Sequence, residues 1–337
     1  MVNVAAFFAH KISFEDHEMT IVAVDGQPVK ATTATVISIA SGQRYDVLIT
    51  SKSKPTRNYA ITSVMEGTSL QANGILSYCK CFSNPLPLKA VVETPIDDAM
   101  LQNALGMELL NPVRRSITLP VSYKSVNGRR YVTLSGSLFE ILILITHSVI
   151  IFGNHTYISP KVPTLYTALT TGKNALNPIV YGPAVNPYII RSGEVVQIIV
   201  QNNDNSEHPM HLHGHRFQVI ARGTGTWDGS ESSIAQYPVV RDVVTTPPSG
   251  YLVIRFKANN PGVWMYHCHM VSHLAAGMTV TLVESPDILQ STLTVDQQAL
   301  ALCREQMILT EGNCAGNRVN VFDTRGCNNN PEAETGT

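Results

Sequence analysis

Short apolar runs with a period of two recur along the chain, and they constrain its fold more than any other feature. MTIVAVDG (19–26), ATVISIASGQRYDVLITS (34–51), NYAITSV (58–64), YIIRSGEVVQIIVQNN (188–203), RFQVIAR (216–222), YLVIRFKA (251–258) and MTVTLVES (278–285) are rich in β-branched residues, with Gly, Asn, Asp or Pro between them. Successive side chains of a strand point to opposite faces, so such runs build sheets with one face buried. They predict an all-β protein of sandwich or barrel sheets with little helix.

At 337 residues the chain has room for two domains of ordinary size. A Pro- and Leu-rich connector separates a first β block from a longer second one, and the chain turns polar and cysteine-bearing near its end. We therefore expect a first domain over 1–90, a linker over 91–115, a second domain over 116–286 and a tail over 287–337. Only 15% of residues are charged and the net charge is -1, so no electrostatic feature points to nucleic acid or an acidic membrane surface. The longest apolar run, 137–152, holds Glu140 and His147 and falls short of the roughly 20 residues that span a bilayer. No secretory signal is read at the N-terminus. An acceptor triplet, Asn154-His155-Thr156, and the tail cysteines Cys303, Cys314 and Cys327 suit an oxidising, extracellular setting. With Cys79 and Cys81 they make an odd set beside Cys268, so at least one has no partner within that set.

Chemistry is concentrated in HPMHLHGH (208–215) and HCHMVSH (267–273), which hold seven of the chain's 11 histidines. If YHCHM is extended, His267 and His269 point one way and Cys268 the other. Ligands divided between two faces argue against a single tetrahedral structural zinc. The Cys268 face has His208, His273 and Met278 as candidate company. Two imidazoles, a thiolate and a weak axial thioether make the blue-copper, type 1 arrangement for one-electron transfer. His211, His213, His267 and His269 collect on the opposite face, an all-imidazole set suited to copper that binds and reduces oxygen. His10, His17, His147 and His155 are isolated and expected to be structural, and His215 is a near neighbour outside the ligand set.

Both clusters resemble the C-terminal copper motifs of the multicopper oxidases, the family of laccases, ascorbate oxidases and ferroxidases. FEDHEMTIVAVDG, SGQRYDVLITS, PKVPTLYTAL and VIRFKANNPGVW are similar to fungal members, the iron-uptake ferroxidases above all. The resemblance implies cupredoxin-like Greek-key β-sandwiches, a partial second domain and a complete C-terminal one, with copper as cofactor. It places type 1 copper on His208, Cys268 and His273 with Met278 axial, type 2 on His211, and the type 3 pair on His213, His267 and His269. Such oxidases take two further His-x-His pairs from a first domain. This chain has none outside the two clusters, so we expect a C-terminal portion that offers half a trinuclear cluster and no turnover by itself, a tail cysteine pairing with the missing domain.

Residues 129–153 depart from the family pattern, and intron read-through or a buried strand pair would each explain them. For the full-length parent the resemblance implies an extracellular or cell-surface oxidase that reduces O2 to water with electrons from Fe(II) or a phenol, with an iron permease as partner. Asp204 is the candidate substrate acid and Glu207 a second, because hard oxygen ligands hold iron. The alternative is a type 1 electron-transfer module without oxygen chemistry. Completion of the cluster by oligomerisation is a third reading, disfavoured by the missing His-x-His pairs.

Overall fold

A computed structural model of the protein describes residues 1–84, 94–125, 148–231 and 234–328. The first block holds β1 (His10–Phe14), β2 (Met19–Val24), β3 (Gln27–Ala34), β4 (Val36–Ile39), β5 (Tyr45–Ile49), β6 (Tyr59–Met65) and β7 (Gln71–Leu76). They form two sheets, in the orders β4-β1-β6-β7 and β3-β2-β5. Asp25 and Gly26 join β2 to β3 with φ of 47° and 72°, the left-handed pair that a tight hairpin turn demands and that Asp-Gly adopts readily. Met19, Ile21 and Val24 of β2 are buried. Their spacing changes from two to three because a bulge between Ile21 and Ala23 shifts the register.

The second block holds β8 (Arg115–Ser125), β9 (Ser148–Phe152), β10 (Pro187–Ile190), β11 (Val195–Asn202), β12 (His208–Leu212), β13 (Phe217–Thr224), β14 (Val240–Arg241), β15 (Val243–Thr246), β16 (Gly250–Lys257), β17 (Gly262–Cys268) and β18 (Thr279–Glu284). One sheet runs β14-β13-β16-β11-β8-β9 and the other β10-β18-β17-β12-β15. Interior β11, antiparallel to β16 and parallel to β8, buries residues of both faces, which is why Val and Ile fill five of its eight positions. Leu119, Phe152 and Ile198 of the first sheet share a core with Met210, Tyr266 and Leu282 of the second. That core continues without a break into Met19, Ile21 and Tyr45 of the first block.

Among the described residues, four short helices flank the sheets: α1 (Thr164–Thr170), α2 (Val271–Ala275), α3 (Pro286–Thr292) and α4 (Gln297–Glu305). The tail packs back on the second block. Leu289 and Val321 join Ala168, Val180 and Tyr181 in a second apolar cluster, and Cys314 pairs with Cys327. Cys79 pairs with Cys81, leaving Cys303 as the one unpaired cysteine besides Cys268. Of the departing segment, residues 129–147, His147 among them, lie outside the described residues. Its last part is the strand β9, antiparallel to β8, with Ile150 and Phe152 buried.

A buried ion network joins the two blocks. Arg241, with no exposed surface, hydrogen-bonds Asp25 at 2.8 Å and also pairs with Asp98. Arg44 grips Asp242 through both guanidinium nitrogens at 2.6 Å. Burial alone would raise the Asp98 carboxyl, but Arg222 and Arg241 beside it hold it at about 2.

Candidate metal centre

The register of two strands sorts the histidines onto two faces. β12 runs antiparallel to β17 with Met210 opposite Cys268, His211 opposite His267 and Leu212 opposite Tyr266. Residues directly opposite each other share a face, and alternation along β12 puts His208 with Met210. His208 and Cys268 therefore lie on the core side, and His211 and His267 on the other. Strand β17 stops at Cys268, two residues before the end of YHCHM, and His269 occupies the bend that follows. Its ring still stacks on that of His267 at 6.0 Å, so it remains on the imidazole side.

On the core side the helix α2 returns His273 to the strand end. Cys268 Sγ lies 3.8 Å from His208 Nδ1 and 3.5 Å from His273 Nδ1, and the two nitrogens are 3.1 Å apart. Bond lengths of about 2.0–2.3 Å to a four-coordinate metal separate its ligand atoms by about 3.3–3.7 Å. The three separations straddle that range, so small ring rotations would let the donors serve one ion, and two imidazoles with a thiol are a donor set that copper accepts. His208 Nε2–H donates to Asp204 at 2.9 Å, which leaves Nδ1 bare and pointed at the cluster. Met278 is fully buried, accepts from the Cys268 N–H at 3.2 Å and donates its own N–H to the His273 carbonyl at 3.0 Å. Burial pushes the Cys268 thiol up to about 12 and His273 down to about 4. A thiol so placed stays protonated until a cation arrives, while a neutral imidazole is already ligand-competent.

On the imidazole side His213 Nε2 and His267 Nε2 approach to 3.0 Å, and the ligand atoms of His211, His213 and His267 all lie within 4.8 Å of one another. His211 Nδ1 bonds the Asp242 carbonyl and His267 Nδ1 the Cys268 carbonyl, both at 2.8 Å. Burial holds His267 down at about 4 and lowers His213 and His269. His269 stands at the rim, its ring 5.7 Å from that of His211. Among the other histidines, His215 pairs with buried Glu284 at 2.7 Å. His17 bonds Tyr78 at 2.8 Å and His10 bonds Ser63 at 3.1 Å. Each has a structural partner away from the clusters.

Beside His273 a cavity of about 300 Å³ is lined by Phe7, Phe8, Glu66, Glu207 and Met270. Burial and the neighbouring Glu66 carboxylate raise the Glu207 carboxyl. Burial works against the ionised Asp204, yet its hydrogen bonds to His208 and Ser206 bring its carboxyl below the ordinary value. Glu66 and Tyr123, whose hydroxyl comes within 3.5 Å of His273 Nε2, escaped the sequence reading. Neither carries a motif, and only folding brings them to the site.

Sheets closed over the buried Cys268 of β17, with the histidine-bearing β12 paired beside it, define a cupredoxin-like β-sandwich protein. Models of the multicopper oxidase family match residues 1–80 and 157–287. The chain belongs to the multicopper oxidase family, whose cofactor is copper. It is 37% identical to the iron transport multicopper oxidase fetC of Epichloe festucae over 98% of its own length and 53% of that protein's. It is 34% identical to the iron transport multicopper oxidase FET5 of Saccharomyces cerevisiae, over 98% and 56%. The crystal structure of Fet3p, a multicopper oxidase that functions in iron import, superposes with a TM-score of 0.86 at 31% identity, over 96% of this chain and 62% of that one. A laccase from Botrytis aclada does so with 0.72 at 25% identity, over 90% and 53%. The chain spans about half the length of the curated relatives it matches.

Proposed function

We propose that this chain is the copper-bearing part of an oxidoreductase that removes single electrons from Fe(II) or a phenol and delivers them to O2. The observation that carries the reading is Cys268, with two Nδ1 atoms within 3.8 Å of its sulfur, set next in sequence to His267 of the imidazole cluster. His208, Cys268 and His273, with Met278 as a further ligand, would hold type 1 copper, His211 type 2, and His213, His267 and His269 type 3. Copper bound there would supply one-electron acceptance on the Cys268 face and oxygen reduction on the imidazole face. Asp204 holds the proton of His208 on Nε2 and so orients the ring. The backbone between Cys268 and His267 joins the two faces covalently. Phe7 packs edge-on against the His273 ring, while Asp204, Glu207 and Glu66 set hard oxygen donors at the same edge.

Those carboxylates and the names of the iron-transport relatives favour Fe(II) over a phenol, and a cell-surface or secreted parent acting with an iron permease suits that substrate. We further assign the sandwich of β8–β18 to the C-terminal cupredoxin domain and β1–β7 to part of the preceding one. The rival reading, an electron-transfer module without oxygen chemistry, rests on the small number of imidazoles on the open face. Copper content, visible absorption and oxygen uptake of the chain and of its full-length parent separate the two. Copper on both faces with substrate-dependent oxygen uptake supports the oxidase. Blue copper at Cys268 alone, with no oxygen uptake by the parent, supports the module.

A further inference from the structure

On the imidazole face the partner of each outward nitrogen decides which nitrogen is left for a metal. His211 and His267 give Nδ1 to backbone carbonyls, which accept only, so the proton sits on Nδ1 and the lone pair on Nε2. His269 differs, because its Nδ1 faces a hydroxyl, Ser41 Oγ, at 3.2 Å. A hydroxyl both donates and accepts. Here its single proton is already committed: Ser41 Oγ lies 2.5 Å from the Ala5 carbonyl, which has no proton to give. Ser41 must then accept from His269 Nδ1–H.

Gly42 completes the arrangement. A Cβ there would stand 2.8 Å from both Cδ2 and Nε2 of His269, and its φ of +84° is one that other residues resist. The imidazole rests on bare backbone. Reciprocal bonds between Asn3 and residues 42–43, at 3.0 and 3.1 Å, fasten this loop, and Val271 N–H donates to the Ala6 carbonyl at 2.9 Å, tying the same N-terminal segment to the turn after His269.

We propose that Ser41 and Gly42, on the loop between β4 and β5, are positioning residues for His269: the hydroxyl fixes the Nδ1–H tautomer and the glycine leaves the ring its place, so that Nε2 is the nitrogen offered to metal. The proposal rests on the copper reading of the imidazole face. It makes the first block a determinant of the metal centre although it contributes no ligand of its own.

Imidazole 15N shifts of the metal-free full chain read the tautomer directly, with the His269 signals assigned by their loss in His269→Gln. His269 is expected as Nδ1–H in the wild type, as a mixture of tautomers in Ser41→Ala, and as Nδ1–H again in Ser41→Thr, which restores the hydroxyl. A wild-type proton on Nε2, or a Ser41→Ala spectrum indistinguishable from wild type, overturns the proposal. Titration with Cu(II) alone should then show binding at the imidazole face weakened roughly 10- to 100-fold in Ser41→Ala, recovered in Ser41→Thr, with the Cys268 absorption unmoved. Equal affinity in Ser41→Ala and wild type also overturns it. If wild type takes no Cu(II) at that face, the copper reading fails instead, and the 15N shifts still decide the tautomer.

Discussion

At the scale of single residues, the centre is controlled by which atom of each ring is left bare. Asp204 spends the Nε2 proton of His208 at 2.9 Å and thereby points Nδ1 at Cys268. Replacing Asp204 by Ala is expected to weaken Cu(II) binding at the Cys268 site about 10- to 100-fold, measured by titration against the blue absorption, with binding at the imidazole face unchanged. Cys268→Ser should abolish the blue absorption and leave copper on the imidazole face. Loss of copper from both faces together would contradict their separation. Met278→Leu should raise the reduction potential of the Cys268 site and shift its absorption, and a potential equal to that of wild type tells against axial ligation. The ligand histidines were legible in the sequence because a metal site needs particular elements at particular spacing. Glu66, Tyr123 and Ser41 were not, since a lone polar residue carries no spacing signal at all.

At the scale of elements, alternation and pairing do most of the sorting, and local propensity does less. The turn Asp25–Gly26, the bulge in β2 and the apolar run of β11 follow from residue type and burial. The early end of β17 does not, because whether His269 continues the strand depends on the segment packed against it, where its N–H meets the Pro209 carbonyl at 2.7 Å. Buried Arg241, on β14, serves Asp25 at the β2–β3 turn and Asp98 in the connector after β7. Arg241→Ala removes the buried cation that Asp25 and Asp98 share, leaving Asp98 to Arg222 and Asp25 to the more distant Arg44, and we expect a loss of about 3 kcal/mol, read as a lower denaturant midpoint with the slope little altered. Retention of the wild-type midpoint would show that the network does not hold the blocks together.

For the whole molecule, the same network sets its tolerance of acid. The folded Asp98 carboxyl at about 2 lies below an unfolded value of about 3.9, so its stabilisation is fully present above about pH 4 and is lost as pH falls toward 2. It amounts to on the order of 2 kcal/mol. Wild type and Asp98→Asn should therefore differ in unfolding free energy at pH 6 and converge near pH 2, and a gap independent of pH would exclude this origin. The sequence alone determined that the chain is all-β, that Cys268 and His267 face opposite sides of one strand, and which family motifs they form, because pleating and ligand chemistry act over a few neighbouring residues. Only the tertiary structure decided that Ser41 and Gly42 stand against His269, that Glu66 lies beside His273, and that Asp25, Arg241 and Asp98 form one buried network. Those contacts join residues hundreds of positions apart, and no local rule of conformation connects them.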